Sequence, residues 1–144
     1  MEININTLWT ASKLPVIDGI FYADGNYQKL EIITDQNFHR KLIPVPEQKP
    51  DFSIISDISV TAEYDFQNYH IFCGESSYGG DGFVTAVSSE SNQIAWFAFW
   101  EEANPFIKIR SHETKLEITN NLHEVWQFDL SDSKSVKIAI KEDL

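Results

Sequence analysis

FVTAVSSESNQIAWFAFW, residues 83–100, holds two apolar runs separated by the polar connection 88–93. In the second run, Trp96, Ala98 and Trp100 alternate with Ala95, Phe97 and Phe99, so an extended chain here is apolar on both faces. Such a strand needs cover on both sides, which places it in the interior of a sheet rather than at its edge. A buried helix can hold a similar run, but its short length and β-rich flanks favour a strand.

Working outward, short alternation recurs along the chain. Residues 58–64 set Ile58, Val60 and Ala62 against Ser59, Thr61 and Glu63, the pattern of a half-solvated strand, and 69–73 continue it after a turn at 65–68. Segment 74–82, GESSYGGDG, interrupts pairing with four glycines and reads as a loop or bulged turn. Residues 16–23 and 27–34 flank Asp24-Gly25-Asn26 and predict a hairpin. Leu42, Ile43 and Val45 predict an extended piece that Pro44, Pro46 and Pro50 confine to an edge or loop. Toward the C-terminus, Phe106, Lys108 and Arg110 oppose Ile107 and Ile109, Leu116 and Ile118 follow a turn at 112–114, and 125–130 and 136–140 are joined by a turn at 131–134. At the start, Ile3, Ile5 and Leu8 read as a strand with one irregularity. One short helix at 35–40 or 51–56 would not alter a mainly β reading.

Ten to twelve short strands in a single 144-residue domain call for an antiparallel sheet that packs on a second sheet or curls strongly. The expected fold is therefore mainly β, either an antiparallel β-sandwich or a strongly curved, barrel-like sheet with little helix. One flat sheet would leave a large apolar face in water.

Eleven Lys and Arg against 22 Asp and Glu give a net charge of -11 at pH 7. That balance repels polyanions, making nucleic acid a poor partner, and favours encounter with a basic protein if the acids share one face. The first residues do not resemble a secretory signal, and no apolar run reaches the ~20 residues needed to cross a bilayer. The single Cys73 has no internal disulfide partner and no thiolate metal cluster to join. A cytoplasmic protein with no membrane association is the expectation.

No catalytic or metal motif stands in the sequence. His39, His70, His112 and His123 lie apart, without the HExxH spacing of a zinc site. Cys73 lies in an apolar strand, and a Cys–His nucleophilic site there would require a distant histidine to approach it, which nothing in the spacing indicates. The serines of 75–78 lack a GxSxG elbow, and 79–82 lack the lysine of a phosphate loop and the ligand spacing of a calcium loop. No cofactor, metal or catalytic residue is expected. Two arrangements remain. Asp65, Glu75 and Asp81, with Tyr64, Tyr69 and Tyr78, can build an acidic and aromatic rim for a basic partner. Trp96 and Trp100 share a strand face that would stack on sugars if exposed, while Glu101 and Glu102, adjacent on a continuing strand, would point to opposite faces.

The segments GESSYGGDGFVTAV at 74–87 and IAWFAFWEEANPF at 94–106, in a small acidic domain, resemble bacterial immunity proteins of polymorphic-toxin or contact-dependent growth inhibition systems. The resemblance implies a cytoplasmic, non-enzymatic protein that binds a cognate toxin, commonly a nuclease, and blocks its active or substrate-binding surface. The residues proposed for that contact are Glu75, Tyr78 and Asp81 on the glycine-rich loop, with Asp65, Glu101 and Glu102 at the rim. The alternatives are a carbohydrate-binding β domain using Trp96 and Trp100, and a small hydrolase assembling a histidine and a carboxylate in a pocket.

Overall fold

The computed structural model describes residues 3–46 and 49–141. One short helix, α1 (Ile5–Thr10), precedes twelve strands: β1 (Lys13–Pro15), β2 (Gly19–Tyr22), β3 (Tyr27–Thr34), β4 (Arg40–Val45), β5 (Ile55–Phe66), β6 (Tyr69–Ser76), β7 (Gly82–Ser88), β8 (Ile94–Trp100), β9 (Phe106–His112), β10 (Lys115–Asn120), β11 (Val125–Asp129) and β12 (Lys137–Ile140). All pairings are antiparallel. They form an eight-stranded sheet in the order β1-β5-β6-β7-β8-β2-β3-β4 and a four-stranded sheet in the order β12-β11-β10-β9. The two sheets stack without closing into a barrel.

Strand β8 is internal, as its double-sided apolar pattern requires, with β7 on one side and β2 on the other. Its Trp96, Ala98 and Trp100 enter the core between the sheets, against Leu116, Ile118, Trp126 and Phe128 of the smaller sheet. Trp96 stacks on Phe128 with ring centroids 5.8 Å apart, and Trp100 meets Trp126 at 4.8 Å. Phe97 and Phe99 enter a second core on the opposite face, beneath Ile5, Leu14 and Ile17. Burying each such aromatic ring stabilises the fold by on the order of 2–3 kcal/mol before side-chain entropy is counted.

The larger sheet is strongly coiled. β1 and β2 stand five strand spacings apart in the ladder order, about 24 Å if the sheet were flat. Yet only residues 16–18 join them, a reach of about 15 Å from Pro15 to Gly19. The sheet must therefore roll its β1 and β5 end back over the outer face, where Leu14 is fully buried. A register shift between Val60 and Ala62 marks a bulge in β5, the device by which a strand bends locally. The bulged Thr61 turns its hydroxyl to the carbonyl of Phe106 in β9 at 2.5 Å, and Tyr64 Oη meets Ser111 Oγ at 2.6 Å. Side chains thus bridge the two sheets where no ladder does.

Three local expectations change. Residues 5–10 are helical rather than extended: Ile5, Leu8 and Trp9 are spaced i, i+3 and i+4, and the Asn4 side chain caps the helix by accepting from the N–H groups of Asn6 and Thr7. Neither 35–40 nor 51–56 forms a helix; Asp35 and Asp51 instead accept backbone hydrogen bonds two residues on and fold these segments as turns. Strand β6 runs through Gly74, Glu75 and Ser76, leaving only 77–81 as the loop. Gly74 serves close approach here, since a Cβ would lie 1.9 Å from the Ser59 carbonyl oxygen on the bulged strand.

Two buried side chains give direct tests. Thr85 faces the outer core opposite Phe97, and its hydroxyl has no hydrogen-bond partner. Thr85→Val removes that orphan at nearly constant shape and is expected to raise stability by about 1 kcal/mol, read as a higher urea midpoint with unchanged slope. Cys73 is fully buried, and burial pushes its thiol pKa up to about 11 against the smaller opposing effect of Thr61. Native protein should resist a thiol-specific disulfide reagent at pH 8 and react as a free thiol only in denaturant; fast labelling of the folded chain would contradict this packing.

Candidate functional site

The loop between β6 and β7 is held from three directions. The Asp81 carboxylate accepts from the backbone N–H of Ser76 at 2.7 Å and from the Ser76 hydroxyl. The Asn104 N–H donates to the carbonyl of Gly80, and the Ser77 N–H donates to that of Asp57. Gly79 and Gly80 both take left-handed backbone angles, φ 78° and 74°, which tighten the turn and leave Tyr78 standing 66 % exposed. The loop is thus a fixed platform for one aromatic ring.

Beside it, β8 ends at Trp100 and the chain turns through 101–102. Because the strand stops, Glu101 and Glu102 do not alternate across a sheet; both line the same two clefts. Glu101 is anchored by its N–H donating to Asp18 Oδ1 at 3.0 Å, and Glu102 by its carbonyl accepting from Arg40 Nη1 at 2.6 Å. Three adjoining clefts of about 370, 210 and 250 Å³ meet at Glu101. Their walls are Val16, Tyr78 and the half-exposed Ile54; their rim carries Asp18, Glu31, Asp51, Asp81, Glu101 and Glu102, with Lys29 as the one basic side chain.

The electrostatics follow from that crowding. Burial holds the Asp18 carboxyl above its ordinary pKa, outweighing the N–H of Glu101 and the charge of Lys29. Glu101 is also raised, by partial burial first and then by the negative charges of Asp18, Glu102 and Asp81. The region therefore accumulates like charge. A cation arriving here relieves repulsion already present in the free protein.

The six residues nominated from sequence separate. Tyr78, Asp81, Glu101 and Glu102 line one cleft. Asp81 is only 2 % exposed and is committed to Ser76, so it clamps the loop and is a poor contact residue for a partner. Glu75 falls on β6 opposite Ser59, out of the cleft. Asp65 pairs with His70 at the far end of the β5–β6 hairpin, about 20 Å along the strand from Ser76. The proposed tyrosine rim also disperses, because Tyr64 is hydrogen-bonded to Ser111 and Tyr69 packs against the inner core. Asp18, Glu31 and Ile54 were missed: each sits in a different segment, Asp18 and Glu31 being set beside Glu101 by the ladder order β8-β2-β3 and Ile54 being brought over them by the coiled β5 end.

The other constellations are accounted for. Trp96 and Trp100 are 1 % and 0 % exposed, inside the core and out of reach of a sugar. His70 lies between Glu63 and Asp65 on the strand surface; the Glu63 hydrogen bond leads in raising its pKa over the opposing effect of burial. His39 borders a cleft of about 170 Å³ with Glu124, whose carboxylate is taken by Arg40, Asn120 and Trp126. Among the described residues no group of three His, Cys, Asp or Glu side chains is placed to hold a metal ion, and no helix is long and apolar enough to cross a membrane. No family model, curated protein or solved structure matches the chain.

The raised Glu101 pKa carries a sign. A carboxyl whose folded pKa lies above its unfolded value favours the fold at low pH and loses that contribution as pH rises through the folded pKa. Glu101→Gln should therefore raise the urea midpoint at pH 7 and bring no gain at pH 3.5, where the native carboxyl is protonated. An equal effect at both pH values would place Glu101 outside the acidic cluster's field.

Proposed function

We propose that this chain is a binding protein that neutralises a basic partner, in the manner of a bacterial immunity protein acting on a cognate toxin such as a nuclease. It would do so in the cytoplasm by covering the toxin's active or substrate-binding surface. The observation that carries this reading is the single surface on which Tyr78 and Ile54 stand exposed among Asp18, Glu31, Glu101 and Glu102. An aromatic and an aliphatic side chain give a desolvated centre, and the surrounding carboxylates orient a cationic face and speed its approach. A nuclease's phosphate-binding surface has that charge by necessity. Inhibition would be steric, a one-to-one complex with no reaction performed by this chain. The burial of Trp96 and Trp100 weighs against the carbohydrate-binding alternative.

The test is co-expression with each protein encoded beside this one, followed by calorimetry and an assay of the neighbour's toxicity. A saturable one-to-one complex that suppresses toxicity is the expected result. Tyr78→Ala and the double variant Glu101→Lys/Glu102→Lys should each weaken it by about tenfold or more, the charge reversal acting largely on the association rate and its salt dependence. Soluble neighbours that neither bind nor lose toxicity would overturn the reading. A complex indifferent to both variants would move the contact to another face.

A further inference from the structure

The strand pairing gathers four turns at one end of the sandwich, 35–39, 77–81, 101–105 and 121–124. They are tied to one another by hydrogen bonds that belong to no ladder. The Asn104 N–H donates to the carbonyl of Gly80, and the buried Asn120 side chain donates to that of Ala103 at 2.9 Å. Arg40, the residue after the first turn, donates to the carbonyls of Glu102 and Ala103 and pairs with Glu124. This end is therefore a preorganised group of loops on a rigid scaffold, a setting in which binding residues are commonly placed.

Apolar exposure is concentrated at the same end. The three most exposed large apolar side chains among the described residues are Phe38 at 87 %, Leu122 at 67 % and Tyr78, and each stands in one of these turns. The turns of the opposite end, 24–26, 67–68, 89–93, 113–114 and 131–135, hold only polar residues and one glycine. Phe38 and Leu122 also adjoin, since both line the cleft of about 170 Å³ beside Arg40 and Glu124, and neither joins a hydrophobic core. Phe38 further holds a left-handed φ of 63°, which bulky side chains disfavour and Asn or Gly would hold with less strain. The Asp35 carboxylate fixes the turn by accepting from the N–H groups of Asn37 and His39. The ring is thus held outward against both solvent and backbone preference, the kind of outlier that marks a contact residue.

We propose that Phe38 and Leu122 are further anchors for the basic partner, which sits across this end of the sandwich with its cationic centre over Glu101 and Glu102 and apolar pockets at its margin that receive the Phe38 ring and the Leu122 side chain. This contact rests on the binding role proposed above and extends it from the large sheet onto the tip of the small one. Charge complementarity selects the occupant: the middle of this end is anionic, with Asp18, Glu102 and Asp81 crowding Glu101. The cations nearest the two anchors are committed within the chain, Arg40 to Glu124 and Lys141 to Glu117, while His39 and Lys41 lie in the field of Asp35. The division of labour follows, with carboxylates speeding approach and desolvated apolar anchors slowing departure.

The test takes the neighbour-encoded protein that forms the one-to-one complex and follows its association and dissociation by surface plasmon resonance. Phe38→Asn and Leu122→Ser should each raise the dissociation rate by about tenfold or more with little change in the association rate, the reverse of the pattern expected for Glu101→Lys/Glu102→Lys. Hydrogen exchange at 36–39 and 121–123 should slow in the complex. In the free chain Phe38→Asn should raise the urea midpoint, because Asn tolerates the left-handed turn. A lower midpoint would show that the ring packs within its own fold and would overturn the proposal. A complex weakened by Tyr78→Ala but indifferent to Phe38→Asn and Leu122→Ser would overturn it while leaving the binding role in place, and the absence of any complex would overturn both.

Discussion

Burial of β8 on both faces is the constraint from which the architecture follows. Trp96 and Trp100 demand a second sheet on one side, and Phe97 and Phe99 demand cover on the other. The C-terminal strands β9–β12 meet the first demand, and α1, β1 and the bent start of β5 meet the second. Because β8 must also be paired along both edges, β7 and β2 flank it, and the hairpin strands β3 and β4 follow β2 outward. The acidic clefts form where β8 stops: its last residue is core, and the next two are solvent-facing carboxylates.

The sheets are held at their margins by polar groups rather than by a shared ladder. Thr61 and Tyr64 join β5 to β9 on one side. On the other, Arg40 of β4 forms a two-point pair with Glu124 and also donates to the carbonyls of Glu102 and Ala103. Burial alone would raise the Glu124 pKa, but the hydrogen bonds from Arg40 and Trp126 and the Arg40 charge hold it below the ordinary value. Arg40 thereby fixes the turn that presents Glu101 and Glu102. Buried ion pairs of this kind add little over an apolar equivalent but are costly to break, so the contact specifies geometry more than it supplies stability.

Most strands were legible because one-sided and two-sided apolar alternation survives in the sequence; the hairpin at 24–26, the edge strand at Pro44 and the central position of 94–100 all follow from it. Residues 3–8 misled because Ile3 and Ile5 match a strand while Ile5, Leu8 and Trp9 match a helix, and the cap at Asn4 decides between them. The candidate site was half legible. Tyr78, Glu101 and Glu102 announce themselves at a loop and a strand end, but Asp18 and Glu31 join them only through the non-sequential pairing β8-β2-β3, and Ile54 only through the roll of the large sheet. Asp81 was misassigned for a physical reason: in a glycine-rich loop the carboxylate that looks free is the one that bonds the loop's own backbone.

The strand order also dictates when the molecule can assemble. Residues 19–45 form β2–β4, but their place in the sheet is beside β8, which leaves the ribosome only after some fifty further residues. Until then the N-terminal third is a meander with an unpaired edge and an exposed apolar face, and its long-range pairing makes for slow closure. The nascent chain is thus most vulnerable to association in the interval before residue 100 emerges.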